Sequence, residues 1–249
     1  MEILGIDIGG TGIKGAIVNT VSGELVTERF RIPTPQPATP KAVAETLADV
    51  VRHFNWTGPV GAGFPVTILH GVAKTAANVD DAFIGTNLEV LFSEESGCSV
   101  YVANDADVAG LAEFTFGQGK DHQGLVIMVT VGTGIGTAII SQGRLLPNTE
   151  LGHIYLKNGV KAEQYAANSV RKDQNLSWKE WGKRFNSYLE TMEGLFNPDL
   201  FVLGGGVSKH FDQYQKYLTT NAPVKTASFL NQAGIVGAAM YAMAEVNAK

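Results

Sequence analysis

Apolar runs that alternate with glycine-rich turns predict most of the strands of this 249-residue chain. Residues 3–18 form two apolar runs around a glycine turn, and partial alternation over residues 25–32 predicts a third strand of a meander. Short apolar runs at 59–65 and 100–103 predict buried strands that follow it. A second long apolar run, 125–140, again contains a glycine turn. The pattern therefore predicts two strand–turn–strand units.

Helical spacing of apolar side chains predicts two longer helices, at 42–54 and 178–196, and a run rich in small residues predicts a third at 232–244. Ser177 and Glu180 form a capping-box pattern at the start of the second of these helices. Its buried stripe is aromatic, and we interpret the stripe as core. Shorter helices are expected within residues 88–97, 105–117 and 163–170. Residues 66–87 are polar and are expected to be irregular.

The two glycine turns are related by an offset of 122 residues, since Gly10 aligns with Gly132. The same offset matches residues 11, 12, 13, 16 and 17 with identical residues at 133, 134, 135, 138 and 139. Glycine-rich sequence can match by chance, but the shared strand–turn–strand context argues against it. The repeat predicts a duplicated α/β fold with two lobes. The expected boundaries are 1–107, closed by a C-terminal helix at 232–249, and 108–231.

The first turn combines a carboxylate with backbone groups that can bind anions. Asp7 stands in an apolar strand just before Gly9 and Gly10. Consecutive turn N–H groups form a nest for phosphate, and a nearby carboxylate can hold a metal ion. The segment from Gly10 to Gly15 fits the dinucleotide pattern, but a strand follows it where that pattern requires a helix. A plain glycine-rich hairpin with a surface aspartate remains the alternative.

Polar residues follow two other predicted strands. Asn104 and Asp105 come after the strand at 100–103, where ligands of open α/β sheets collect. An ordinary helix N-cap by Asp105 or Asp107 is the alternative interpretation. In the second half, the carboxylates and imidazole that suit a polyhydroxyl ligand are Glu150, His153 and Glu163. Triple glycine at 204–206 lets a ligand lie on the backbone, or forms a tight turn.

Composition narrows the classes of partner. The net charge of −5 disfavours nucleic acid, because a polyanion would meet a repulsive field. The single cysteine, Cys98, excludes an internal disulfide and is expected to be a buried thiol. No segment approaches the roughly 18 apolar residues that a membrane-spanning helix needs. We therefore expect a cytoplasmic protein that binds neither nucleic acid nor membranes.

Five motifs, in this order along the chain, together resemble the ROK family of sugar kinases. They are the segments 7–11 (Asp-Ile-Gly-Gly-Thr), 104–105 (Asn-Asp), 132–136 (Gly-Thr-Gly-Ile-Gly), 150–153 (Glu-Leu-Gly-His) and 204–207 (Gly-Gly-Gly-Val). The resemblance covers essentially the whole chain. It implies the two-lobed actin-like, hexokinase-like ATPase fold, built from duplicated ribonuclease H-like domains with mixed sheets.

Within that family the chain looks most like the polyphosphate glucokinase branch. The similar segments are 84–88 (Ile-Gly-Thr-Asn-Leu), 169–171 (Ser-Val-Arg) and 176–181 (Leu-Ser-Trp-Lys-Glu-Trp). The cysteine-rich zinc run of most ROK proteins is missing after His153, as it is in that branch. Phe83 stands where many relatives have tryptophan.

The resemblance assigns roles to named residues. Asp105 would be the general base, and Asp7 would orient a hydrated Mg²⁺ ion. The residues implied to contact the sugar are Asn78, Asn104, Asp105, Glu150, His153 and Glu163. Those implied to bind phosphate or nucleotide are Gly9, Gly10, Thr11, Lys14, Thr133, Gly134, Gly204, Gly205 and Gly206.

The implied activity is transfer of the terminal phosphoryl group of inorganic polyphosphate, ATP or both to the 6-hydroxyl of glucose. An ATP-only hexose or amino-sugar kinase would keep every residue named above, and a non-catalytic sugar-binding module is a remoter alternative. A polyphosphate chain needs a basic track. The candidates are Arg171, Lys172, Lys179, Lys183 and Arg184, which can equally be solvated helix charges. Homodimers are usual in the family.

Overall fold

The chain forms two compact units in the computed structural model, which describes residues 1–76 and 79–248. The first unit comprises Met1–Ala112 and Asn231–Lys249, and the second comprises Glu113–Leu230. Asn78, one of the expected sugar contacts, lies outside the described residues. The lobes expected at 1–107 with 232–249 and at 108–231 stay a prediction.

A five-stranded sheet is the centre of the first unit. Its strands and a separate two-stranded hairpin are β1 (Glu2–Gly9), β2 (Gly12–Asn19), β3 (Phe30–Ile32), β4 (Val60–Phe64), β5 (Ile68–Leu69), β6 (Val72–Ala73) and β7 (Val100–Asn104). The order in the sheet is β3-β2-β1-β4-β7. The first three strands are antiparallel, and β4 and β7 run parallel to β1. The predicted meander and the two buried strands are therefore confirmed.

The second unit repeats this arrangement. Its strands are β8 (Leu125–Val131), β9 (Ile135–Ser141), β10 (Arg144–Leu146), β11 (Leu200–Gly205) and β12 (Val224–Thr226), in the order β10-β9-β8-β11-β12. Again three antiparallel strands are followed by two parallel ones. The two sheets thus share one topology, as the sequence repeat predicts.

Helices cover these sheets. They are α1 (Pro40–His53), α2 (Leu88–Ser96), α3 (Asp105–Phe116), α4 (Ala162–Ala166), α5 (Asn168–Asp173), α6 (Trp178–Phe196), α7 (Phe211–Tyr214) and α8 (Ala233–Asn247). Thr39 caps α1 by accepting a hydrogen bond from the backbone N–H of Ala42. Asn197 ends α6 in the left-handed conformation, just before Pro198.

Helix α6 provides the core of the second unit. The predicted capping box is present, since Ser177 and Glu180 exchange side-chain and backbone hydrogen bonds. Three aromatic residues of its apolar stripe, Trp181, Phe185 and Tyr188, are 0% exposed. The indole of Trp181 donates a 2.9 Å hydrogen bond to the carbonyl of Ala166. The aromatic stripe is therefore core, as predicted.

Three local expectations are corrected by the structure. The strand expected at 25–32 is confined to Phe30–Ile32, and Leu25 makes only an isolated bridge to Val18. The helix expected at 163–170 is broken at Ala167, whose ψ of 158° is extended. The polar excursion at 66–87 contains the β5–β6 hairpin and a short 3₁₀ turn. The hairpin forms by local antiparallel pairing of Ile68 with Ala73, whereas the break at Ala167 precedes Ser169, which bonds the distant carbonyl of Thr133.

The C-terminal helix α8 approaches the first sheet at backbone distance. A β-carbon on Gly61 would overlap the carbonyl of Ala238, and one on Gly5 would overlap that of Ile235. A β-carbon on Gly237 would likewise overlap the carbonyl of Val108 in α3. Three glycines from two strands and a helix therefore allow α8 to lie directly on β1, β4 and α3.

Two expectations from composition can also be compared with the structure. Cys98 is 7% exposed, and burial raises the pKa of its thiol. Among residues 1–76 and 79–248, we find no helix with both the length and the apolar character needed to cross a bilayer.

The close approach of α8 predicts that Gly61→Ala lowers the free energy of unfolding by at least about 2 kcal/mol, because the methyl group forces α8 away from β4. Gly194→Ala is the control, since Gly194 lies in α6 with open space around its Cα. The control should raise stability by about 0.5–1 kcal/mol through helix propensity. Urea unfolding midpoints measure both effects, and a Gly61→Ala midpoint equal to that of the wild type would contradict the packing described.

Candidate active site

The turn between β1 and β2 has open space beside one of its residues, Gly10. Gly9 pairs with Gly12, which leaves Gly10 and Thr11 as a two-residue turn. A β-carbon on Gly10 would meet nothing within 4 Å, and the φ angle of Gly10 is not positive. Neither packing nor backbone conformation therefore requires glycine at this position. Access of a ligand to the backbone remains as an explanation for glycine at position 10.

Asp7 is the only charged side chain of β1 beyond Glu2 at its start, and it lies close to this turn. Its Oδ2 is 2.9 Å from Nζ of Lys14, which is its partner across the β1–β2 ladder. The two side chains are 22% and 25% exposed. Gly234, in the first turn of α8, is so close that a β-carbon there would lie 3.0 Å from Cγ of Asp7. The carboxylate is therefore held in place but still reaches solvent.

Asn104 and Asp105 stand where β7 passes into α3. The side-chain oxygen of Asn104 accepts hydrogen bonds from the backbone N–H groups of Ala106 (2.9 Å) and Asp107 (3.3 Å). Its amide nitrogen donates to the carbonyl of Val66 at 3.1 Å. The Ala106 N–H also donates to Oδ1 of Asp105 at 2.8 Å, so Asn104 and Asp105 both bond the first N–H groups of α3. Asp105 is half-buried beside this cap.

The carboxyl ends of neighbouring parallel strands bring Asp7 and Asp105 to one region of the first unit. Gly63 of β4 pairs with Asp7 on one side and with Ala103 on the other. A β-carbon on Gly63 would lie 3.8 Å from Cα of Asp105. The first unit therefore gathers the hairpin turn, the Asp7–Lys14 pair and Asp105 around the ends of β1, β4 and β7.

A cavity of about 340 Å³ lies in the same unit, which is within the usual size of small-ligand pockets. It is lined by Ile8, Gly9, Gly10, Thr34, Gln36, Pro37, Ala38, Val43, Phe64, Pro65, Val79, Asp80 and Phe83. It reaches the first turn through Gly9 and Gly10, while Asn104 and Asp105 are not part of its lining.

The second turn differs from the first by one residue. Val131 pairs with Ile135, so the turn contains the three residues Gly132–Gly134. The N–H of Gly132 donates to the carbonyl of Gly134 at 3.0 Å. A β-carbon on Gly132 would meet nothing within 4 Å, which is also true of Gly10 at the equivalent position. Both repeats therefore carry one glycine whose backbone borders open space.

The expected sugar motif is bonded to this second hairpin. The Nε2 atom of His153 is 3.3 Å from Oε1 of Glu163. The other oxygen of Glu163 lies over Gly134, 2.8 Å from where a β-carbon would stand. Glu150 is exposed and precedes the short 3₁₀ turn that carries His153. His153, Glu163 and the second turn are thus brought together within the second unit.

Sequence reasoning missed the residues that hold this motif in place. Thr137 of β9 donates a hydrogen bond to the carbonyl of Thr149, and Thr149 returns one to the carbonyl of Thr137 at 3.0 Å. Ser169 of α5 donates to the carbonyl of Thr133 at 2.6 Å. Threonine and serine in such positions have no distinctive sequence signal, because only the folded backbone supplies their partners.

The three glycines after β11 serve different purposes. Gly205 has a φ of 77°, and a β-carbon there would lie 2.7 Å from the nitrogen of Val131. A β-carbon on Gly204 would lie 2.8 Å from the methyl group of Met128. The nearest atom to one on Gly206 is the side-chain nitrogen of Asn168, at 3.8 Å. Only Gly206 therefore presents open backbone. Gly205 is required by its φ and by the backbone of Val131, whereas a side chain on Gly204 would displace the flexible end of Met128.

Two of the five candidate basic residues have structural partners. The Arg171 guanidinium lies 4.1 Å from the ring centroid of Trp178, and that of Arg184 lies 4.8 Å from the ring of Tyr165. The side chains of Lys172, Lys179 and Lys183 are exposed. A polyphosphate track along this helix surface stays a prediction.

Residues 3–168 match the profile of the ROK family. The chain belongs to the ROK family. It is 48% identical over 242 residues to a polyphosphate glucokinase from Mycobacterium tuberculosis (strain CDC 1551 / Oshkosh), covering 97% of this chain and 91% of that protein. The ROK resemblance recognised from the five motifs is therefore confirmed.

Solved structures agree with this assignment. An inorganic polyphosphate/ATP-glucomannokinase from Arthrobacter sp. strain KM superimposes with a TM-score of 0.92 at 46% identity, covering 98% of this chain and 99% of the other. A ROK family glucokinase from Streptomyces griseus, in complex with glucose and AMPPNP, has a TM-score of 0.83 at 24% identity, covering 98% and 100%. The actin-like, hexokinase-like fold class expected from the sequence is confirmed.

The residues around Asp7 fit a magnesium ion that is held only partly by protein. Among the described residues, no group of three or more histidine, cysteine or acidic side chains could enclose a metal. Mg²⁺ in phosphoryl-transfer enzymes usually keeps several waters and is bound by one or two carboxylates together with substrate phosphates. A single solvent-reachable carboxylate beside the first turn meets that requirement.

The open space beside Gly10 and Gly132 predicts that substitutions there weaken donor binding without lowering the stability of the fold. Gly10→Ala and Gly132→Ala should leave the urea midpoint within error of the wild type, because each methyl group enters open space. Each should raise the KM for the phosphoryl donor about 10- to 100-fold, since lost contacts to a charged phosphate are worth about 1.5–3 kcal/mol apiece. Gly194→Ala is the matched control. Unchanged donor KM in both turn variants would show that the turns do not bind the donor.

Proposed function

We propose that this chain is a glucokinase that transfers the terminal phosphoryl group of inorganic polyphosphate, and of ATP, to the 6-hydroxyl of glucose. The products are glucose 6-phosphate and the donor shortened by one phosphate. The observation that carries the proposal is identity of 46–48% to a polyphosphate glucokinase and a polyphosphate/ATP-glucomannokinase over nearly the whole chain. The resemblance assigns Asp7 and Asp105 in the first unit, and Glu150, His153 and Glu163 in the second, to this chemistry.

Asp105 is the proposed general base. As the 6-oxygen of glucose attacks the terminal phosphorus, the carboxylate of Asp105 takes the hydroxyl proton, and the bond to the leaving phosphate breaks. The N–H of Ala106 donates a 2.8 Å hydrogen bond to Oδ1 of Asp105, which holds the carboxylate in place, and its other oxygen, Oδ2, is the proposed proton acceptor. The position of Asp105 also supports this role. Asp105 follows the parallel strand β7 and lies next to Gly63, which pairs with Asp7 in the sheet.

The proposed sugar contacts are Asn104, Glu150, His153 and Glu163, with Asn78 as a further candidate from the resemblance. Carboxylates and an imidazole can each bond vicinal hydroxyl groups. The His153–Glu163 contact at 3.3 Å supports this assignment, since each side chain orients the other. Because the Arthrobacter relative is named a glucomannokinase, mannose is a second acceptor to test.

The proposed donor contacts are backbone groups of the two turns, at Gly9, Gly10, Thr133 and Gly134, with Thr11 and Lys14 beside the first. Gly204, Gly205 and Gly206 are the proposed nucleotide-side loop. Phosphoryl transfer depends mainly on positioning and on neutralising charge. Asp7 would hold hydrated Mg²⁺, which when bound neutralises charge on the donor phosphates. We further propose that the enzyme is a cytoplasmic homodimer that binds neither nucleic acid nor membranes.

The test of the proposed function is the initial rate with glucose and Mg²⁺, measured with long-chain polyphosphate and with ATP. We expect glucose 6-phosphate from both donors, and loss of the rate when EDTA removes the metal. A rate with ATP alone would identify an ATP-only ROK kinase. No product with either donor, but binding of glucose by calorimetry, would favour a sugar-binding module.

Asp105→Asn should lower kcat by about 10²–10⁴ because the base is lost while the shape of the side chain is kept. Asp121→Asn, at an exposed loop position, makes the same chemical change away from the site. Glucose affinity measured by calorimetry and the urea midpoint should stay close to wild type for both. A kcat for Asp105→Asn within threefold of wild type would refute the role of this residue.

A further inference from the structure

Three charged side chains form a row across the first hairpin and its neighbouring strand. Asp7 pairs with Lys14 in the β1–β2 ladder, and Lys14 pairs with Arg31 in the β2–β3 ladder. Residues directly opposite each other in antiparallel strands project from the same face of the sheet. Asp7, Lys14 and Arg31 therefore lie side by side on one face, beginning beside α8 and ending at the edge strand β3.

Arg31 lies against the first phosphate turn. Its guanidinium donates a hydrogen bond from Nη2 to the carbonyl of Thr11. A β-carbon on Gly12 would lie only 2.7 Å from Cζ of Arg31. Glycine at position 12 thus makes room for a guanidinium, which differs from the open space around Gly10. The sequence repeat hides this difference, because Gly12 and Gly134 are equivalent and Gly134 faces Glu163 instead.

The positive charge of the row is concentrated at its outer end. Lys14 is neutralised by Asp7 at 2.9 Å, whereas Arg31 is exposed and its hydrogen bond among the described residues goes to a neutral carbonyl. A guanidinium has five N–H donors, so the bond to Thr11 leaves most of them for a ligand. An uncompensated cation beside a phosphate turn is notable in a chain of net charge −5.

We propose that Arg31 binds the polyphosphate chain at phosphates beyond those held by the Gly10–Thr11 turn, and so helps to select polyphosphate as donor. The proposal rests on the proposed polyphosphate activity. The proposed interaction is between a planar guanidinium and a phosphate chain in which every phosphate unit carries negative charge. ATP has only three phosphates, followed by adenosine. A protein group that contacts the donor beyond the third phosphate therefore finds no phosphate in ATP.

The experiment compares wild type, Arg31→Gln and Arg31→Lys with long-chain polyphosphate, tripolyphosphate and ATP. For Arg31→Gln we expect the KM for long-chain polyphosphate to rise about tenfold, the loss typical of one charge-assisted hydrogen bond. The KM values for tripolyphosphate and ATP, and kcat, should change less than twofold. Arg31→Lys should recover most of the affinity. Added salt should weaken long-chain binding less in Arg31→Gln than in wild type.

Arg52→Gln is the matched control, because it removes the same charge from an exposed site on α1 where Arg52 pairs with Asp49. It should leave all three KM values unchanged. Urea midpoints establish that each variant is folded. An equal rise in KM for all donors would mean that Arg31 only braces the turn through Thr11, and it would overturn the proposal.

The remaining outcomes separate this proposal from the proposed function. If wild type uses polyphosphate and Arg31→Gln has the same KM and the same dependence on chain length, only the assignment of Arg31 fails. If wild type uses ATP but not polyphosphate, the proposed donor fails and the role of Arg31 fails with it.

Discussion

Contact at backbone distance between α8 and the first sheet is the constraint on which the first unit depends. Gly5 and Gly61 let the helix carbonyls of Ile235 and Ala238 reach β1 and β4. Such packing cannot be adjusted by rotating a side chain, because backbone atoms fill the space. The same helix brings Gly234 against Asp7, so the packing that stabilises the unit also sets the position of the proposed magnesium carboxylate. The packing of α8 on the first sheet therefore contributes both to stability and to the placement of Asp7.

Glycines in this protein separate into two groups when the space around them is considered. Some are required because a side chain would overlap backbone, as at Gly61 and Gly205. Others, Gly10 and Gly132, border open space and have ordinary φ angles. Neither packing nor φ requires glycine at these two positions, as at Gly194 of α6, and approach of a phosphate to the backbone is our proposed explanation for the two turn glycines. That the two open glycines occupy equivalent positions in the repeat supports one shared use.

Much of the fold could be predicted because its signals are local. The capping box at Ser177, the proline and glycine boundaries and the aromatic stripe of α6 each act within a few residues. The repeat itself was visible because the two hairpins keep the same glycines. The helix at 163–170 was wrong in detail, since the break at Ala167 serves contacts of α5 with the second turn through Ser169. Those contacts are far apart in sequence.

The family, the duplicated α/β fold and the identity of the chemical groups could be inferred from the amino-acid sequence, because motifs and periodicity are local properties of each segment. Tertiary structure alone decided which group does which task. It made Asn104 the cap of α3, paired Lys14 with Asp7, and set Arg31 over Gly12 at the first turn. The physical reason is that hydrogen bonds and ion pairs depend on strand register and on neighbours distant in the chain, which composition and spacing do not encode.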